Sequence, residues 1–299
     1  MARHKHHLDG WLFAAPALLG LGLFLALPFL VAMVLAFTNE RLGSPLPTRV
    51  VGFDNFAAIL ADPVFLRALL NNCYFAAVVV PLQTGLALLL ASALNTPLRG
   101  MTVLRSCFFL PVVYPMALVA VIWQMLYAPG AIGLANQVLH TLSFGAWQPA
   151  VSEGVLQSPL LAMPAIMLLS IWQGLGFQTI ILLAGLQAIP SQLYEAARID
   201  RANAWQRFWH VTVPGLRNPL IFTGLVTTIF AFRLFDQVQI LTDGGPEHAT
   251  TTVIHQAWRA AFARQQIGLA SAMTVVFFLI VCIIALSQHL LFKQERSAA

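Results

Sequence analysis

Lysine is almost missing: in 299 residues it stands only at positions 5 and 293. A phosphate loop of the GxxxxGK[ST] type needs a lysine to reach the β- and γ-phosphates, and neither position offers that context, so the chain holds no such loop. Charge is scarce too, at 9% of residues against about a quarter in an average soluble domain, while 59% are hydrophobic. The three cysteines, Cys73, Cys107 and Cys282, lie in or beside apolar runs. With no CxxC pair and no Cys/His set at ligand spacing they read as small core residues, and no metal site is expected. HExxH, GxSxG and SxxK patterns are also missing, so no catalytic residue can be named. No basic patch interleaved with aromatics argues for nucleic acid. The formal charge of +5 lies largely in short polar segments between apolar runs, where it speaks to lipid head groups and topology.

What the sequence has in abundance is apolar length. Crossing about 30 Å of hydrocarbon takes roughly 20 mainly apolar residues. Six stretches approach or exceed that: Trp11 to Phe37, Ala68 to Leu94, Cys107 to Tyr127, Pro159 to Gly185, Leu216 to Leu241 and Gly268 to Phe292. The expected fold class is an all-α integral membrane protein with six transmembrane helices, forming one domain over residues 1–299. The first run is longer than the apolar region of a secretory signal and contains Pro16 and Pro28, so it reads as a retained helix. Pro81, Pro111, Pro115 and Pro164 lie inside or near the starts of spans, where kinks around a cavity and plain packing both account for them.

Arginine and lysine set the expected orientation. Ten of them (Arg3, Lys5, Arg99, Arg105, Arg198, Arg201, Arg207, Arg217, Lys293 and Arg296) fall on one set of alternate polar segments. Five (Arg41, Arg49, Arg67, Arg259 and Arg264) fall on the other. The positive-inside rule then places both termini, and the loop 187–217, in the cytoplasm.

Within that loop, Ala196, Ile199, Ala202, Trp205 and Phe208 or Trp209 recur every three to four residues, while Arg198, Arg201 and Arg207 take other faces. The pattern predicts an amphipathic helical segment, ended by Pro214 and Pro219 before the next span. Two roles fit it. Paired alanines let another protein approach closely, with Glu195 as a charge for a basic partner. Alternatively the helix lies on the bilayer, arginines toward the head groups and tryptophans at the boundary.

Charges inside a span cost several kcal/mol unless they are paired or face water. Arg233 and Asp236, near the end of the fifth run, have the i,i+3 spacing that shares a helical face. They form either a structural ion pair or the border of a translocation path, where a hydroxyl-rich or anionic solute meets Arg233. Gln173 and Gln124 are further polar candidates. Trp123 joins them because an indole face stacks on sugar C–H groups while amides bond hydroxyls, although aromatic packing between helices accounts for it as well. His248 and His255 are seven apart in an outer loop with no third ligand evident, and His210 falls on the polar face of the amphipathic segment.

The segment EAARIDRANAWQRFWHVTVPGLRNP resembles the EAA loop of the inner-membrane permease subunits of binding-protein-dependent ABC importers. The likeness is to the carbohydrate-uptake type that includes maltose and glycerol-3-phosphate systems. That loop runs E-A-A-x-I-D-G-A, then Q-x-F, then a hydrophobic pair before L-P. Glu195, Ala196, Ala197, Ile199, Asp200, Ala202, Gln206, Phe208 and Pro214 match in place. Arg201 stands at the family's usual glycine, a residue that permits a left-handed backbone which arginine resists. Either the turn differs here or Arg201 adds a contact with its partner. VGFDNF (Val51 to Phe56), FFLPVVYP (Phe108 to Pro115) and FDQVQILTDGGPEHATTTV (Phe235 to Val253) are similar to further family segments, so the resemblance covers nearly the whole chain.

The resemblance implies the type I importer permease fold with both termini inside, multi-pass in a bacterial inner membrane. It implies that Glu195, Ala196, Ala197, Ile199, Asp200, Arg201 and Ala202 dock as a coupling helix on a cytoplasmic ABC ATPase dimer. A second six-span permease would complete the path, and an extracytoplasmic solute-binding protein would deliver a carbohydrate or polyol phosphate. ATP and magnesium then belong to the partner ATPase, and this chain binds no cofactor and is not itself an enzyme. The competing class is a self-sufficient ion-coupled secondary carrier, in which Arg233 and Asp236 would bind the coupling ion or titrate. It would need neither an ATPase nor an EAA loop.

Overall fold

The computed structural model describes residues 13–45, 47–96, 100–148, 150 and 152–297. Trp11, Arg3, Lys5 and Arg99 lie outside them, as do the side chains of Lys293 and Arg296. Among the described residues the chain is helical, with a single isolated β-bridge between Thr38 and Val50. The helices begin with α1 (Phe13–Leu35), α2 (Asp54–Ala61), α3 (Pro63–Leu94), α4 (Met101–Val113), α5 (Met116–Leu126) and α6 (Leu134–Leu142). They continue with α7 (Ala162–Gln187), α8 (Ser191–Ile199), α9 (Ala204–Gly215), α10 (Arg217–Phe232), α11 (Asp236–Leu241), α12 (Val253–Trp258) and α13 (Ile267–Ser297).

Four of these, α1, α3, α7 and α13, are long and apolar enough to cross a membrane. The third apolar run is broken, and not one helix from Cys107 to Tyr127: α4 and α5 meet at 98°. The cause is local. Tyr114 is extended (φ −79°, ψ 139°) because it precedes Pro115, whose ring excludes the helical conformation from the residue before it. The fifth run is bent as well, α9 meeting α10 at 69°. Pro214 does not end the helix there; it sits within α9, and the bend falls at Leu216.

The chain divides into two compact units, residues 1–65 with 256–280 and residues 66–255 with 281–299. In the first, α1 is apolar on all sides and none of its residues is buried by its own chain, the condition of a helix that faces lipid or another apolar helix. The chain leaving it is held in place. Asn55 donates to the carbonyls of Ala36, which caps the helix, and Thr38 at 2.9 and 2.8 Å.

In the second unit α3 and α7 pack through a cluster of small and large residues. Ala87 and Ala91, one turn apart, receive Leu182, Leu183 and Leu186, with Leu216 closing the group. Small residues allow helices to approach where no hydrophobic effect drives them together. The same logic brings α4 against α7, where Gly176 lies so close to the Phe108 carbonyl that a β-carbon would overlap it.

Candidate functional site

The fifth crossing does not run on to Leu241. α10 stops at Phe232, Arg233 caps it by donating its backbone N–H to Ile229 and Phe230, and Phe235 is non-helical (φ −141°, ψ −61°) before α11 begins. Arg233 and Asp236 are therefore not neighbours on one helical face, and no ion pair joins them among the described residues. The break is stable because distant side chains satisfy the backbone it releases. Asn72 on α3 donates to the Phe232 carbonyl at 3.3 Å and accepts the Val253 N–H at 3.0 Å. Thr252 donates to the Leu234 carbonyl at 2.9 Å.

Past α11 the chain is held by the same buried polar knot. Asn71 donates to the carbonyls of His248 and Thr251. Fully buried His255 meets Thr251 through Nδ1 at 3.3 Å and the Asp243 carboxylate through Nε2 at 3.1 Å. The pair His248 and His255 thus has no shared face: His255 is inside, and His248 sits at φ +60° in the turn. Neighbouring Asn71 and Asn72 in an apolar run were the signal that sequence reading passed over.

What the break opens is a cleft of about 370 Å³. α3 lines it with Phe75, Val79 and Gln83, residues four apart on one face; α7 adds Ser170, Gln173 and Gly174. α10 adds Thr227, Phe230 and Ala231, and the broken segment adds Arg233, Leu234, Asp236 and Gln237. Gln237 donates to Ser170 at 3.3 Å, and fully buried Gln178, behind the cleft, donates to Thr227. Arg233, Asp236 and Gln173, read from the sequence as path candidates, converge here, together with Gln83, Ser170, Thr227 and Gln237, which were not foreseen. Trp123 and Gln124 are not among the lining residues. Trp123 packs its ring on Trp172 and Tyr127, centroids 5.5 Å apart in each case, and Gln124 donates to the Ile240 carbonyl at 3.2 Å.

At α8 and α9 the chain makes a helical hairpin. α8 ends at Ile199 with the Ala202 N–H on the Ala197 carbonyl and the Arg201 N–H on the Arg198 carbonyl, at 2.9 and 3.0 Å. This double closure, a Schellman motif, requires a left-handed residue at its turn. Arg201 supplies it at φ +56°, so the turn keeps the glycine-type conformation although the residue is arginine. α9 then starts with a capping box: Asn203 accepts from the Gln206 N–H and Gln206 accepts from the Asn203 N–H, both at 2.8 Å. Tyr194 and Thr212 join the two helices through their hydroxyls at 3.0 Å. Glu195, Ala196, Ile199, Asp200 and Arg201 are exposed, Ile199 to 82%, whereas Ala197 and Ala202 are half-buried. His210 is exposed and holds the Gln206 carbonyl of its own helix.

A broken crossing over a polar cleft, with an exposed small-residue helix on a separate hairpin, agrees with the family model that matches residues 56–297, described as a binding-protein-dependent transport system inner membrane component. The chain belongs to that family. It is a multi-pass inner-membrane permease, a translocation subunit and not an enzyme. The permease is 33% identical to the probable ABC transporter permease YurN of Bacillus subtilis, over 95% of each chain. It is 34% identical to the diacetylchitobiose uptake permease NgcF of Streptomyces coelicolor, over 88% of this chain and 76% of that one. With the trehalose/maltose transport permease MalF of Thermococcus litoralis it shares 33%, over 91% and 89%. Its fold is that of a chain in the crystal structure of a bacterial ABC transporter that imports alginate, at a TM-score of 0.80, 20% identity and coverage of 98% and 99%.

Proposed function

We propose that this permease is one of two membrane-spanning subunits of an ATP-driven importer for a carbohydrate or polyol phosphate, and that the cleft at Arg233 is its part of the translocation path. The observation that carries the reading is the lining of that cleft. Gln83 and Gln173 offer amides that donate and accept, Asp236 accepts hydroxyls, Arg233 donates to hydroxyls or an anion, and Phe75 and Phe230 suit C–H surfaces. Such a set matches a hydroxyl-rich solute. Relatives named for diacetylchitobiose, lactose and trehalose/maltose transport support the sugar class.

Energy enters through another chain. Glu195, Ala196, Ile199, Asp200 and Arg201, on the exposed side of the hairpin, form the contact with an ABC ATPase dimer, with Ala197 and Ala202 behind them. ATP and magnesium are held there, and this chain acts as one permease domain without a cofactor. An extracytoplasmic binding protein delivers the solute, and a second permease completes the path.

The test is uptake of labelled sugars into proteoliposomes holding the complete transporter. Uptake should need internal ATP and stop with Glu195→Lys. Uptake driven by an ion gradient without ATP, and indifferent to that change, would transfer the protein to the secondary carriers.

A further inference from the structure

We propose that the hairpin divides its labour between its two helices, α8 facing the ATPase and α9 seated on the inner leaflet, with anionic phospholipid as the partner of its aromatic face. The inference goes beyond the coupling role, which concerns α8.

α9 carries two faces. Thr212, buried, takes the Tyr194 hydroxyl, and the helix ends on fully buried Leu216, which is locked in the α3–α7 cluster. Trp205 and Trp209, one turn apart, are nonetheless 68% and 48% exposed with ring centroids 5.6 Å from each other. Phe208 extends the cluster, 5.5 Å from Trp209. Large indoles left uncovered at this point have a defined surrounding, because α9 is joined through Leu216 to α10, the apolar arm of the fifth run, at a bend of 69°. With α10 set along the membrane normal, that bend lays α9 closer to the membrane plane and puts the two indoles at the end of the crossing. That is the depth at which tryptophan, apolar in its ring and polar at its N–H, is enriched.

Charge agrees with the placement. Arg207 lies in α9, Arg217 just past it and Arg198 on the neighbouring α8, and no Asp or Glu falls between Ala202 and Phe235. A cationic excess flanking an aromatic face fits the negative surface of a phospholipid leaflet. Seated in this way, α9 is a keel: a push on α8 cannot tilt the hairpin freely and must pass into α10.

Benzoylphenylalanine placed at position 199, 205 or 209 of the complete transporter in native membranes, then photolysed and analysed by mass spectrometry, separates the two surfaces. Position 199 should yield ATPase peptide, and 205 and 209 should yield phospholipid adducts. ATPase peptide at 205 and 209, or no lipid there, overturns the keel; lipid instead of ATPase at 199 overturns the coupling reading alone. As a second measurement, bilayers with bromines shallow in the acyl chain should quench wild-type tryptophan fluorescence more than that of Trp205→Phe/Trp209→Phe. Equal quenching in phosphatidylglycerol-containing bilayers rejects the proposal.

Discussion

The side-chain amide of Asn72 reaches the main-chain carbonyl of Phe232, 160 residues further along the chain, at 3.3 Å in a fully buried position. The same side chain accepts the Val253 N–H, so one asparagine pins both the end of α10 and the start of α12. Replacing it by leucine strands two buried backbone groups. Asn72→Leu should destabilise the permease by about 1–3 kcal/mol and abolish uptake, with thermal unfolding in detergent as the check. An unchanged unfolding temperature would mean the break is held by something else.

Arg233 and Asp236 share a cleft without an ion pair. Each is therefore expected to act on the solute directly. Arg233→Ala and Asp236→Asn should each lower uptake by about 10-fold or more, the usual effect of a lost charge-assisted hydrogen bond, while ATP hydrolysis by the complex persists. Recovery of uptake in a double variant would reveal an ion pair after all and contradict the geometry.

Arg201 holds φ +56° at the turn of the hairpin. Left-handed geometry is unfavourable by about 1–2 kcal/mol for a residue with a β-carbon, and glycine removes that penalty. Arg201→Gly should make the loop more resistant to proteolysis while lowering ATP-coupled uptake through the lost guanidinium contact, whereas Arg201→Val should weaken both. Full uptake in Arg201→Gly would remove Arg201 from the contact with the ATPase.

Gly176 touches the backbone of α4 at Phe108. A β-carbon there forces α4 and α7 apart, and overpacking of this kind costs about 1–3 kcal/mol. Gly176→Ala is expected to lower the unfolding temperature. Gly224, with open space around it, is the control: Gly224→Ala should not.

Much of the architecture could be read from residue order. Hydropathy located each apolar run, since helix is the only open-chain structure that satisfies its backbone in lipid. Pro115 before α5 left a kink in the third run and plain packing equally open, and the structure decided for the kink. The amphipathic segment was legible because its helical spacing shows against a polar background; the left-handed turn at 201 was not, because arginine at the glycine position left a changed turn equally open. The break at Arg233 was not legible. A helix apolar on every side has no periodicity to interrupt, and the groups that make the break affordable, Asn72 and Thr252, are far away in sequence.

Composition and residue order determined that this chain lives in a membrane, carries no lysine-bearing phosphate loop and presents a polar amphipathic segment, because burial in lipid and a missing lysine need no folding to take effect. Only the tertiary structure decided which polar residues meet. Gln83, Gln173, Thr227, Arg233 and Asp236 come from four segments, and helix rotation and a side-chain-capped break, both set by packing between distant helices, turn them into one cleft.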